Sequence, residues 1–346
     1  MATPTDARAR TGTFLVHEAT AVPGLRLRRY RGEPDHPAMT DAFNASHRAA
    51  GMVGSSTVED MTNAYRHLEN CDPRTDIALV ELDRATVGYA RVFWEDRTSG
   101  ERAFTFVTYL HPSVAGRGIA GVVLAWQEQR AVQRLRSIGP GAGPAIAVAY
   151  LVGDNPELRQ ALEHAGFHLA RRHAAMSRPD LEDIPEPPLP DGLEIRPIDP
   201  SDRAMHRRVF DVDAEVFREH WGGSEATEER FQAFIGAPTF DPTLWRVAFD
   251  GDEIAGQILS YLGPIEPDGT RIGWTESIAV RRPWRRRGLA RALLAASLRA
   301  VRDAGASRAA LGVDQQNPNE ALRLYESLGF GLVAEELEYH KPLAAD

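Results

Sequence analysis

The feature that most restricts this chain is that it matches itself. Gly24–Gly32 (GLRLRRYRG) resembles Gly192–Pro200 (GLEIRPIDP), and Asp76–Val92 (DIALVELDRATVGYARV) resembles Leu244–Ser260 (LWRVAFDGDEIAGQILS). Phe106–Ala131 and Trp274–Ala300 follow, then Asn155–Phe167 (NPELRQALEHAGF) and Asn317–Phe330 (NPNEALRLYESLGF), always in the same order. Self-similarity in a fixed order means one structural plan used twice. A length of 346 residues with 43% apolar content is also enough for about two cores. Between the copies, RPDLEDIPEPPLPDG reads as an extended linker, rich in proline and acids. The expected division is a flexible N-terminal arm over 1–20, a first copy over 21–177, a linker over 178–191 and a second copy over 192–346.

Each copy reads as α/β, a mixed, mostly antiparallel sheet flanked by helices. In the second copy the pattern predicts helices over Asp202–His220 and Glu225–Ile235. Hairpin strands WRVAFD and IAGQILSYL flank the Gly251-Asp252 turn, and WTESIAV is the next strand. Leu293, Leu294, Leu298 and Val301 then recur at helical spacing, with Gly305 where a C-cap belongs. The net charge of −9 excludes a protein that coats nucleic acid. No apolar run has the roughly eighteen residues of a membrane span, and the single cysteine, Cys71, cannot form an intrachain disulfide. These features predict a cytoplasmic protein without nucleic-acid or membrane partners, and they leave open whether it is a monomer or homodimer. The eleven histidines show no metal-binding spacing and no G-x-S-x-G occurs, so neither a metal nor a hydrolase serine is expected.

Against the acidic background, the arginines of RRPWRRRGLAR stand out. A strand ending at Val280, a short basic loop, Gly288 and a helix from Leu289 place backbone N–H groups at a helix N-terminus, where an anion such as pyrophosphate is stabilised. Gly288 and Ala290 let the backbone approach, and Arg285, Arg286, Arg287 and Arg291 add charged donors. Taken alone, R-x-x-G-x-A fits a solvated basic loop capping an ordinary helix equally well.

In its setting, the motif resembles the acetyl-CoA site of the GCN5-related N-acetyltransferases (GNAT superfamily). Arg285, Gly288 and Ala290 match R-x-x-G-x-A, RAALGVD supplies the following strand, and Asn317–Phe330 matches the Asn…LYE-x-LGF ending. The tandem layout is similar to mycothiol synthase and related actinobacterial double-domain enzymes. The resemblance implies two tandem GNAT domains with acetyl-CoA as co-substrate. It further implies that the backbone of Ile278, Ala279 and Val280 pairs with the pantetheine arm, while Arg286–Arg291, including Leu289, holds the pyrophosphate. Asn317 or Asn319 would contact the arm, or else cap a helix.

The same resemblance puts Tyr325 at the position of the acid that protonates the leaving thiolate. Glu276 is the candidate base; simple strand alternation sets it on the face of Trp274 and Ile278. The family often has its glutamate two residues earlier, at Trp274 here, so Glu276 reads equally as a solvent-facing strand residue. A backbone N–H near Ala279 or Val280 would bond the oxyanion. His220 and Trp221 are candidate acceptor contacts. Asp211, Asp213, Glu215 and Glu219 either draw a cationic acceptor or simply face water, with Phe210, Phe217 and Trp221 as core. The first copy keeps Gly116, Arg117, Gly118, Ile119 and Ala120 as a second cofactor loop, but Ala115 replaces the leading arginine and Leu162 the tyrosine. It is expected to have lost catalysis, and either to bind acetyl-CoA weakly through this loop and helix N-terminus or only to buttress the second copy.

The leading reading is therefore an N-acetyltransferase in which the amine of a small molecule (an aminoglycoside-like, antibiotic or metabolite amine) attacks acetyl-CoA directly in a ternary complex. The alternatives are mycothiol synthase, acetylating a cysteinyl glucosaminyl-inositol, and an acyl-CoA-binding sensor without turnover.

Overall fold

A computed structural model describes residues 13–14, 22–139, 141–218, 220–223, 225–316 and 321–344. The first copy runs β1 (Thr13–Phe14), β2 (Leu25–Arg29), α1 (His36–Ala49), α2 (Val58–Arg66), β3 (Ile77–Leu82), β4 (Ala85–Asp96), β5 (Arg102–Leu110), α3 (Ile119–Ile138), β6 (Ala145–Val152), α4 (Pro156–His164) and β7 (His168–Arg178). The second runs β8 (Leu193–Arg196), α5 (Arg203–Phe217), α6 (Glu228–Ile235), β9 (Arg246–Asp250), β10 (Glu253–Ile265), β11 (Arg271–Val280), α7 (Leu289–Asp303), β12 (Arg308–Asp314), α8 (Ala321–Glu326) and β13 (Gly331–Pro342). The arm lies mostly outside the described residues; its Thr13–Phe14 pairs antiparallel with β2.

Helices α5 and α6 start later than their apolar pattern suggests, because a polar side chain fixes each start. Asp202 accepts from the Met205 N–H and Thr227 from the Arg230 N–H, closing the first turns.

Among the described residues, thirteen strands join one sheet in the order β1-β2-β3-β4-β5-β6-β13-β7-β12-β11-β10-β9-β8. In this order the last strands of the copies have changed places. β13 lies against β6, from Pro342↔Ile146 to Glu336↔Val152, and β7 lies against β12, from Ala309↔Arg178 to Asp314↔His173. The cores follow the exchange. Leu337 and Tyr339 of β13 are buried with the first copy's Phe104, Leu151 and Leu162, while Ala174 and Met176 of β7 are buried with the second copy's Leu293, Leu298 and Tyr325. A boundary in the linker thus divides the copies along the sequence but not in space.

Candidate active site

The second copy opens where β11 parts from β12. Their parallel pairing covers Ile272↔Arg308 to Trp274↔Ala310 and goes no further. On its other edge β11 stays paired with β10, but the register slips between Leu259↔Glu276 and Gln257↔Ala279, leaving one extra residue on β11. That bulge is Ser277, with φ +48°. A bulge re-aims side chains, and here Glu276, Ser277 and Ile278 all line a single cleft of about 580 Å³. The simple alternation expected around Glu276 therefore does not hold.

The far end of this cleft is the basic loop. Arg286 (φ 60°) and Gly288 (φ 89°) are both left-handed, which turns the loop into α7 at Leu289, so that the helix N-terminus with its free N–H groups lies at the cleft. A Cβ added at Gly288 would meet nothing within 4 Å, so the opening stays wide there. Arg285 is tied back by its Nε, which donates to the Val280 carbonyl at 2.8 Å. Arg285, Arg286, Gly288, Leu289, Ala290 and Arg291 all face the cleft. Arg287 does not, and donates instead to the Asp191 carbonyl in the linker at 3.2 Å. Tyr325 of α8 closes the opposite wall; it is 6% exposed, and burial pushes its hydroxyl up to about 12.

Glu276 also lines a second cleft, of about 440 Å³, between the two copies. Tyr261 and Trp274 stand on the second-copy side, stacked at 6.2 Å between ring centroids; Phe43, His47 and the Gly54–Ser56 loop stand on the first-copy side. The packing is close: a Cβ at Gly54 would sit 2.7 Å from the Trp274 ring. Tyr261 donates its hydroxyl to Glu276 Oε1 at 3.3 Å. Desolvation by the surrounding walls raises the Glu276 pKa, and the Tyr261 hydrogen bond pulls the other way. This second cleft had no signal in the sequence, because its walls come from distant segments, Phe43–Asn63 of the first copy and Ala237–Glu276 of the second.

The remaining candidates divide. His220 is on the rim of the larger cleft. Trp221 lines neither cleft that Glu276 joins: its indole N–H donates to Glu338 at 3.0 Å, and its ring stacks on His340 at 5.7 Å. Asp211 is paired with Arg207 and Glu215 with Arg281, at 2.8 and 3.0 Å. These two acids are thus neutralised within the protein rather than offered to a cation. Asn317, Asn319 and Glu219 lie outside the described residues.

The first copy lacks the bulge. Its β4–β5 ladder is regular from Gly88↔Leu110 to Asp96↔Arg102, although β5 too parts from β6, after Phe106↔Ala149. Leu162 is fully buried. At the loop itself, the Glu157 carboxylate accepts from the Gly116 N–H and, at 3.5 Å, from the Ala120 N–H. The chain's own carboxylate thus occupies the anion position at the start of α3.

The Acetyltransferase (GNAT) family profile matches residues 207–330. Mycothiol acetyltransferase of Salinispora tropica is 30% identical over 319 residues, covering 89% of this chain and 97% of that protein. The Kineococcus radiotolerans mycothiol acetyltransferase is 30% identical over 307 residues, covering 88% and 92%. In fold, the chain resembles a GCN5-related N-acetyltransferase from Sphaerobacter thermophilus (TM-score 0.68, 24% identity, 92% and 96% covered). It also resembles a tandem GNAT protein from the clavulanic acid biosynthesis pathway (TM-score 0.64, 13% identity, 93% and 100% covered).

Proposed function

The chain belongs to the GNAT acetyltransferase family, and from that premise we propose that its second copy moves the acetyl group of acetyl-CoA onto a primary amine of a small molecule. The observation that carries this reading is the position of Glu276, which among the described residues is the one carboxylate lining both the basic-ended cleft and the cleft between the copies. An amine in the second and a thioester in the first would meet there.

The larger cleft suits acetyl-CoA. It offers the unpaired edge of β11 to the amide-bearing arm and the Arg286–Arg291 loop, with Gly288 at its turn, to the pyrophosphate. Acetyl-CoA supplies the activated acyl group. Glu276 takes the proton of the attacking amine, and its raised pKa makes it a stronger base than an ordinary carboxylate. Backbone N–H groups near Ala279 or Val280 donate to the oxyanion. Tyr325, protonated at any ordinary pH, donates to the departing sulfur.

For the acceptor, cysteinyl glucosaminyl-inositol is the first choice, supported by mycothiol acetyltransferases that match nearly the whole chain. A different small amine is favoured by one observation: Trp274 stands where the family often has glutamate, and with Tyr261 it gives the acceptor cleft an aromatic wall. Thiol release from acetyl-CoA, measured with this compound beside a panel of amino sugars and other small amines, separates the two. Glu276→Gln should lower kcat/KM for the accepted amine by about 10²–10⁴. Full activity in that variant would remove Glu276 as base, and no release with any amine would sink the acceptor class.

A further inference from the structure

Trp221 lines neither cleft that Glu276 joins and is 44% exposed, yet its ring has three separate anchors. The indole N–H donates to Glu338 at 3.0 Å, the ring stacks on His340, and the Arg171 guanidinium lies over it at 4.8 Å. These anchors are themselves fixed. Arg171 is paired with Asp314 of β12 at 2.6 Å. Glu338 is buried on β13, the middle strand of the sheet, and also accepts from Arg97, His173 and His340 at 3.2, 3.2 and 2.6 Å. Burial opposes the charge on Glu338, but the donation by the two histidines and the charge of Arg97 outweigh it and hold its pKa well below the usual carboxylate range. It therefore accepts the indole N–H at any ordinary pH.

The turn that carries Trp221 is also tied to the first copy. Thr98, next to Arg97 in the β4–β5 hairpin, donates its N–H to the Gly223 carbonyl and its hydroxyl to the Arg218 carbonyl, both at 2.9 Å. Within the turn, the His220 N–H donates to the Phe217 carbonyl at 3.0 Å and the Gly223 N–H to the His220 carbonyl at 3.1 Å. A Cβ at Gly223 would sit 2.8 Å from the Phe217 and Arg218 carbonyls, so the winding is tight. The other side of the turn reaches the active site: Phe217 and His220, their rings 4.6 Å apart, line the larger cleft. We propose that Trp221 and Thr98 are positioning residues for acetyl-CoA: the first latches the turn after α5 to the middle of the sheet, the second latches it to the first copy, and together they hold Phe217 and His220 as a preformed wall of the cofactor cleft. A wall ordered beforehand loses little conformational freedom when the ligand arrives, and binding is tighter for it. The first copy thus takes part in cofactor binding from outside the cleft, through one hairpin. This inference rests on the larger cleft being the acetyl-CoA site.

The experiment is acetyl-CoA calorimetry on the full chain, wild type beside Thr98→Val, Trp221→Phe and Trp221→Ala, with amide hydrogen exchange of the same four proteins. The wild-type titration separates the two readings: no binding there overturns both, and binding there makes the variants a test of the latch alone. Thr98→Val deletes one surface hydrogen bond on the other copy and should weaken binding by about threefold. Trp221→Phe keeps a ring but loses the bond to a carboxylate and should weaken it by about fivefold, and Trp221→Ala, which loses the ring as well, by about tenfold. Exchange should quicken at the His220 and Gly223 amides in the variants and stay unchanged along β11 and α7, where a general loss of stability would show too. Wild-type affinity in Thr98→Val and Trp221→Ala, or exchange quickened equally along β11 and α7, would overturn the proposal. Thr98 is exposed and lies on the first copy, so its variant decides even where Trp221→Ala fails to fold.

Discussion

At the scale of single residues, the two reacting groups set the pH profile. Glu276 must be ionised to accept a proton, and its pKa is raised, so kcat/KM should fall as pH drops through a value above the usual carboxylate range of about 4.3. Tyr325 must be protonated and loses its proton only near 12, so it adds no alkaline limb in the ordinary range. Removing the Tyr261 hydroxyl with Tyr261→Phe deletes a bond that favours the ionised form. The acid limb should then shift to higher pH; an unmoved limb would mean that another group is titrating. Tyr325 was legible in the sequence because a local motif fixes its place. The environment of Glu276 was not, since the bulge at Ser277 occurs in a stretch, ESIAV, that carries no glycine to announce it.

At the scale of elements, the same loop-and-helix unit occurs twice with opposite outcomes. In the second copy the turn before α7 is open; in the first, Glu157 from α4 fills the turn before α3. A carboxylate at a helix N-terminus is stabilised in the way a phosphate would be, so the first copy should not take up the cofactor. Calorimetry is expected to give one acetyl-CoA per chain, abolished by Gly288→Glu and unaffected by Glu157→Gln unless the missing bulge is also restored. Two wild-type sites would show that Glu157 swings aside. Sequence alone leaves this loop looking competent, because Gly116, Gly118 and Ala120 are retained. What fills it is a carboxylate from another element, Glu157 of α4, which a short motif does not record.

At the scale of the whole molecule, the repeat was plain in the sequence and the exchange of last strands was not. β7 and β13 follow equivalent helices in equivalent copies, and nothing local tells either strand which neighbour to join. The exchange makes the copies interdependent, each core being closed by a strand from the other half of the chain. Cross-copy bonds add to it, among them Arg230 with Glu69 and Glu95 at 3.0 and 2.7 Å. If a protease site placed between Pro185 and Pro188 is cut, the two pieces should still elute together and unfold in one thermal transition. Separation without denaturant would contradict the interlock.

The position of β13 also bears on how the protein is made. β6 ends at Val152, and the strand that covers it starts at Gly331, near the end of the chain. At about 5–20 residues per second, a ribosome needs roughly 10–40 s to cover that interval. Throughout it the strand that covers β6 in the finished fold is missing, and only β7, which ends up against β12 and β13, is at hand to shield that edge. The half synthesised first is therefore completed last, and the stretch most exposed to aggregation during synthesis is β6, AIAVAYLV, waiting for the end of its own chain.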